Sequence, residues 1–257
     1  MIEDSIVREL SSEITGATYK LYIRLPKSYG SGDRRFPVVY LLDADYSFLL
    51  ARNISEHLSD RDHLKELLLV GIANAGPLCY RMNRTRDYTP THVPTGGYGP
   101  EYQMVSGGGP KFRDFLEREL IPWVDREYLT VLDDHTLVGH SYGGLFGGWV
   151  LVTRPALFQR YILVSPSLWY DNHLVPGLEE LYASKNHGLH ARVYLCVGSG
   201  EIRRHDMVAD METFAARLRQ RKYEGLALSS RVWQDETHNS IFPLCLSSGL
   251  RFVHQGR

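Results

Sequence analysis

The chain has 257 residues, 43% of them hydrophobic and 23% charged, with a formal net charge of -1. That length holds one large domain or two small ones and buries a core without staples. The balanced charge excludes a general electrostatic pull toward nucleic acid or anionic membranes.

No apolar run approaches the ~18 residues needed to span a bilayer. The start, Met1-Ile2-Glu3-Asp4-Ser5, is acidic and lacks the apolar core of a secretory leader. Three scattered cysteines, Cys79, Cys196 and Cys245, suggest neither a metal knuckle nor a disulfide framework. A cytoplasmic location is expected.

In chain order, residues 18–25 alternate like a half-exposed strand and end in the turn residues of 26–30. Residues 36–42 form a continuous apolar run, the pattern of a parallel strand covered on both faces, with Pro37 at its tolerated start. Runs of the same kind follow at 67–73, 136–138, 161–164 and 193–197, and 228–233 reads as a last strand. Between them, Phe112, Phe115, Leu116 and Leu120 mark one helix face opened by Pro110. Met207, Val208, Met211, Phe214, Ala215 and Leu218 mark another, and both stripes read as core. Strands alternating with helices predict an α/β protein with a doubly wound, mostly parallel sheet and helices on both faces. Residues 1–257 read as a single domain. Residues 74–109, rich in Gly, Pro, Tyr and Arg and without clear periodicity, read as a long loop walling the active site.

The most telling segment is Gly139-His140-Ser141-Tyr142-Gly143, with an apolar strand before it and a Gly-rich helical run after it. In that context Gly-x-Ser-x-Gly is a nucleophile elbow. Gly139 and Gly143 leave room in the turn, and Ser141 is lifted above the sheet edge at a helix N-terminus. A serine hydroxyl needs a base, and on this architecture the acid and then the histidine follow in sequence. Of His173, His187, His190, His205, His238 and His254, only His238 lies just past the last strand. His205 reads as opening a helix and His254 as a frayed or exposed terminal residue. The acid is expected in the loop after the 193–197 strand, where Glu201 comes first and Asp206 and Asp210 are rivals. The oxyanion hole needs two amides: Tyr142, directly after the nucleophile, and one from the turn Asp43-Ala44-Asp45-Tyr46, where Asp45 is favoured. An Asx-type turn at Asp43 and Asp45 is compatible with that role.

With these pieces the chain resembles the putative-esterase branch of the α/β-hydrolases, which includes esterase D-type enzymes and esterases of enterobactin-type siderophores. The matching segments are residues 40–45, 86–91, the elbow, 165–170, 198–201 and 238–240. The resemblance implies a Ser141–His238–Glu201 triad with hole amides from Asp45 and Tyr142. Ala44 departs from the glycine that many relatives carry, which bears on the Asp45 amide.

Arg81, Arg84 and Arg86 sit among Tyr80, Tyr88, Tyr98 and Tyr102 on the wall segment. An arginine there would hold a carboxylate or phenolate, and tyrosines would pack on an aromatic acyl group. Arg86, Tyr88 and Trp169 are the expected substrate-binding residues, although Arg86 also reads as a structural partner of Asp87. The expected activity is hydrolysis of a small-molecule carboxylic ester through an acyl-enzyme, with no metal or organic cofactor required. Acyl transfer by the same triad and a non-catalytic binding module are the alternatives. Sequence leaves the oligomeric state open.

Overall fold

A computed structural model describes residues 5–73, 76, 78–202 and 205–255. The acidic start Met1–Asp4 and residues Asn74, Ala75 and Pro77 of the wall segment lie outside the described residues. Ile6–Ser11 (β1) and Thr18–Arg24 (β2) form an antiparallel pair. Phe36–Leu41 (β3), Leu68–Ala73 (β4), Thr130–His140 (β5), Arg160–Val164 (β6), Gly188–Gly198 (β7) and Glu224–Trp233 (β8) are mutually parallel. β2 joins β4 antiparallel, giving the order β1-β2-β4-β3-β5-β6-β7-β8. The strands predicted from apolar runs all appear; β1, mostly exposed with only Ile6 and Leu10 half-buried, is an addition. β3 and β4 are buried at every position, which is why they read as unbroken apolar runs.

Helices cover both faces. On one face lie Ala44–Asp62 (α1) and, at the far end of the chain, Phe242–His254; Phe48, Ala51 and Leu58 meet Phe242, Leu246 and Leu250 there. The opposite face carries Tyr80–Tyr88 (α2), Gly109–Phe115, Tyr142–Thr153, Tyr170–Ala183 and Met207–Arg221, with Pro100–Gln103 (α3) at its margin. In chain order these become α4 (Gly109–Phe115), α5 (Ile121–Glu127), α6 (Tyr142–Thr153), α7 (Tyr170–Ala183), α8 (Met207–Arg221) and α9 (Phe242–His254). A π-helical turn, Leu116–Leu120, links α4 to α5. Both predicted stripes are core: Phe112, Phe115, Leu116, Leu120, Met211, Phe214, Ala215 and Leu218 are fully buried. The wall segment is not a plain loop, because α2 and α3 lie within it. Its helical positions are mostly polar or aromatic, so no apolar period announces them.

Two further sequence expectations change. Cys196 on β7 and Cys245 on α9 form a buried disulfide, with Cα atoms 6.2 Å apart. Cysteines 49 residues apart meet only because α9 packs on β6 and β7, which spacing alone does not reveal. His254 is not frayed. It is 3% exposed, its Nε2 lies 3.0 Å from Thr136 Oγ1, and Arg160 Nε donates to the neighbouring Val253 carbonyl at 2.8 Å. The disulfide carries a stability prediction. In the chain-entropy account, Cys196→Ser with Cys245→Ser should cost about 4 kcal/mol. Urea unfolding of wild type and double variant, each with and without reductant, checks it. Equal stabilities without reductant would show that the bond is not made in solution.

Candidate active site

β5 ends at His140 and α6 begins at Tyr142, so Ser141 alone makes the reversal from strand to helix. Its φ of 60 and ψ of -116 are strained for a residue with a Cβ, at a cost of about 1–3 kcal/mol. The strain is held from several directions. Ser141 N donates to Val164 O at 2.9 Å, and Ser141 O accepts from Leu145 N at 2.9 Å and Ser167 N at 3.2 Å. A Cβ on Gly139 would lie 2.2 Å from Gly143 O, so that glycine is required. At Gly143 a Cβ would come no nearer than 3.4 Å to Leu42 Cδ1, an ordinary contact, whereas at Gly144 it would sit 2.9 Å from Pro166 Cα. The crowding expected at Gly143 therefore falls on Gly144. The buried helix α6 leaves its positive end at Ser141, where developing negative charge is favoured.

The turn after β7 carries Glu201, the expected acid, and the turn after β8 carries His238, the expected base. Glu201 is 7% exposed, and its Oε2 lies 2.6 Å from His238 Nδ1. Its Oε1 accepts from Ser165 Oγ at 2.7 Å and from Gly198 N at 2.8 Å. The carboxylate is thus fixed at both oxygens, with one reserved for the imidazole. Ser165, buried and at φ 42, is a site residue whose holding role the sequence reading missed. Its signal was the polar Ser165-Pro166-Ser167 step directly after an apolar strand. The rival acids are otherwise occupied. Asp206 caps α8, accepting from Ala209 N at 3.0 Å. Asp210 lies 3.5 Å from His173 Nδ1, and burial raises its carboxyl above the usual range.

Tyr142 is the first residue of α6 and Asp45 the second of α1, so both expected hole amides belong to first helical turns. The positive φ of the α1 turn falls on Asp43, at 53, and not on Ala44, which is helical. A glycine is therefore not needed at position 44. His140, directly before Ser141, was not singled out from sequence. Its ring centroid is 4.5 Å from that of His238, and its Nδ1 lies 2.9 Å from Tyr46 Oη. Burial, with His238 and the Arg84 guanidinium beside it, holds the His140 imidazole well below its ordinary pKa.

Two cavities meet at Ser141 and His238. The larger, about 700 Å³, is walled by Tyr98, Tyr142, Trp169, His205 and Met207. The smaller, about 400 Å³, is walled by Tyr46, Tyr80, His140 and Phe242. Of the expected substrate-binding residues, only Trp169 lines either cavity. It stacks on His205 at 3.9 Å with 7° between the rings. Tyr88 is 1% exposed and accepts from Asp43 N at 3.1 Å, so it braces the turn from the core. Arg86 clamps Asp87 through Nε at 2.7 Å and Nη2 at 2.9 Å, the structural alternative read from the sequence. Arg81 lies over the rings of Tyr98 and Tyr102, 5.4 and 5.8 Å from their centroids.

A sheet in this order, with a serine turn after β5, an acid after β7 and a histidine after β8, defines an α/β-hydrolase. The sequence profile of the Putative esterase family matches residues 12–238, and the chain belongs to that family. It is a carboxylic ester hydrolase. It is 29% identical over 260 residues to the ferri-bacillibactin esterase BesA of Bacillus subtilis, covering 96% of this chain and 88% of that protein. It is 30% identical over 274 residues to a siderophore enterobactin esterase of Emericella nidulans, covering 91% and 89% respectively. An IroE-like serine hydrolase from Shewanella oneidensis superposes with a TM-score of 0.86 at 29% identity, over 96% of this chain and 79% of that one. Among the described residues no helix is long and apolar enough to cross a membrane.

Proposed function

We propose that the chain hydrolyses siderophore-type or related aromatic esters through an acyl-enzyme on Ser141, with His238 as base and Glu201 as its partner. The observation that carries this is the 2.6 Å Glu201 Oε2–His238 Nδ1 contact at a cavity shared with the strained Ser141. With Nδ1 engaged by the carboxylate, Nε2 is the nitrogen left to take the Ser141 proton. Ser141 Oγ adds to the ester carbonyl, and the oxyanion is received by the Tyr142 and Asp45 amides. The alcohol leaves with the proton from His238. Water, deprotonated by the same imidazole, then adds to the acyl-enzyme and returns Ser141.

The substrate class draws on two supports. The named relatives act on bacillibactin- and enterobactin-type esters. The Trp169–His205 stack gives this chain's larger cavity a flat wall, and Trp169 Nε1 is buried without a partner among the described residues. A planar, oxygen-bearing acyl group fits such a surface. A cytoplasmic location goes with this proposal. The Cys196–Cys245 bridge is the opposing observation, since disulfides are rare in reducing compartments.

The test is a p-nitrophenyl ester series, from acetate to longer chains, run beside a catecholate siderophore triester. Turnover is expected to favour the siderophore in kcat/KM and to vanish in Ser141→Ala. Turnover of p-nitrophenyl esters with none of the siderophore would remove the substrate class and keep the esterase. No turnover of any member, with no fluorophosphonate labelling of Ser141, would remove both.

A further inference from the structure

Arg84 was one of three arginines on a segment expected to face substrate. It is 3% exposed, and its guanidinium is spent inside the protein. Nε donates to Asp43 Oδ1 and Nη2 to Asp43 Oδ2, both at 3.0 Å. Nη2 also donates to the His140 carbonyl at 3.2 Å, and Nη1 to Tyr98 Oη. One planar group thus binds the residue that opens the α1 turn, the residue before the nucleophile, and a tyrosine common to both cavities.

Asp43 matters because of its backbone. It is fully buried at φ 53, a conformation that aspartate tolerates better than most side chains. That left-handed residue sets the direction in which the amides of the first α1 turn emerge, Asp45 among them. Tyr80 Oη donates to Asp43 Oδ1 at 2.9 Å, and Asp43 N donates to Tyr88 Oη at 3.1 Å. The amide and both carboxylate oxygens of Asp43 are therefore held from α2. Burial lowers the affinity of the Arg84 guanidinium for its proton, but the Asp43 carboxylate beside it outweighs that and holds the guanidinium above its ordinary value.

We propose that Arg84 is a positioning residue that fixes the oxyanion turn at Asp43 relative to the nucleophile elbow at His140. The two halves of the hole come from different helices, α1 and α6, and a donor displaced by a fraction of an ångström stabilises an oxyanion poorly. A bidentate guanidinium with a third bond to the elbow keeps that spacing; a lysine ammonium, a point donor, does not. This inference rests on the proposed acyl-enzyme reading. A merely structural ion pair would show in stability and leave kcat alone.

Wild type is first shown to turn over p-nitrophenyl acetate and to be labelled at Ser141 by diisopropyl fluorophosphate. Arg84→Lys is then compared with the uncharged double variant Asp43→Asn/Arg84→Gln, which does not strand a buried charge. We expect kcat to fall about 100-fold in Arg84→Lys, the loss seen when one hole donor is removed. The KM change should be at least tenfold smaller than the kcat change, and fluorophosphate labelling should slow in the same proportion as kcat. If Arg84→Lys does not fold, the double variant is read by the same criterion. A folded variant with kcat within threefold of wild type, or with loss confined to KM, overturns the proposal and leaves the esterase reading standing. A wild type that is neither active nor labelled overturns both.

Discussion

Ser141→Ala and His238→Ala are each expected to lower kcat for p-nitrophenyl acetate on the order of a million-fold, and Glu201→Gln by roughly ten-thousand-fold. The losses should not add, because the three groups act as one unit: without the nucleophile there is nothing for the base to deprotonate. The smaller figure for Glu201 follows from its role. In the proposed mechanism it orients the imidazole through the oxygen that meets His238 Nδ1 and takes no part in bond making. Ser165 Oγ and Gly198 N hold the other oxygen, so Glu201→Gln leaves an amide in nearly the same place and changes mainly the charge and the tautomer. Asp206→Ala is the internal control. Removing that cap should cost about 1 kcal/mol of stability with kcat within threefold of wild type. Steady-state kinetics beside thermal melts separate the two effects. An inactive, folded Asp206→Ala with a near-normal Glu201→Gln would reassign the acid.

What the sequence displays and what it conceals divide along physical lines. The parallel strands were legible because both faces are covered, which forces unbroken apolar runs such as Val38 to Leu42. Ser141 was legible because a strand-to-helix reversal with a side chain in it demands small neighbours. Glu201 and His238 were legible by order, each being placed just past a strand end. The rest depends on long-range meeting. Nothing near Arg84 in the chain names Asp43, 41 residues earlier, as its partner. Tyr88 looked like a binding residue because it lies among arginines, yet in α2 it points to the core. Helical phase decided the matter, and a polar nine-residue helix offers little phase to read. Cys196 with Cys245 and Thr136 with His254 are pairs of the same kind, created by the docking of α9.

His254 gives the second large effect, on stability in acid. Its imidazole is pushed down to about 3 by burial, with the cationic Arg160, Lys65 and Arg192 adding to the shift. His140 is displaced in the same direction. In the unfolded chain each titrates near 6.5, so below that pH the unfolded state binds protons that the folded state refuses. Stability is therefore complete above about 6.5 and falls as pH drops toward the folded value, by up to about 1.4 kcal/mol per unit and per group. Asp87 and Asp210, whose carboxyls burial raises, act in the opposite sense at the acid end of the range. Those terms are common to wild type and variant, and cancel in a comparison. His254→Gln keeps a polar partner for Thr136 and removes one titration. Between pH 8 and pH 4.5 it should lose about 3 kcal/mol less than wild type. Urea midpoints at half-unit steps measure this, and parallel curves for the two proteins would show that His254 is not held neutral. Thr136 lies on β5, the strand that ends in the nucleophile elbow. Charging His254 therefore acts on the strand that leads into the turn at Ser141.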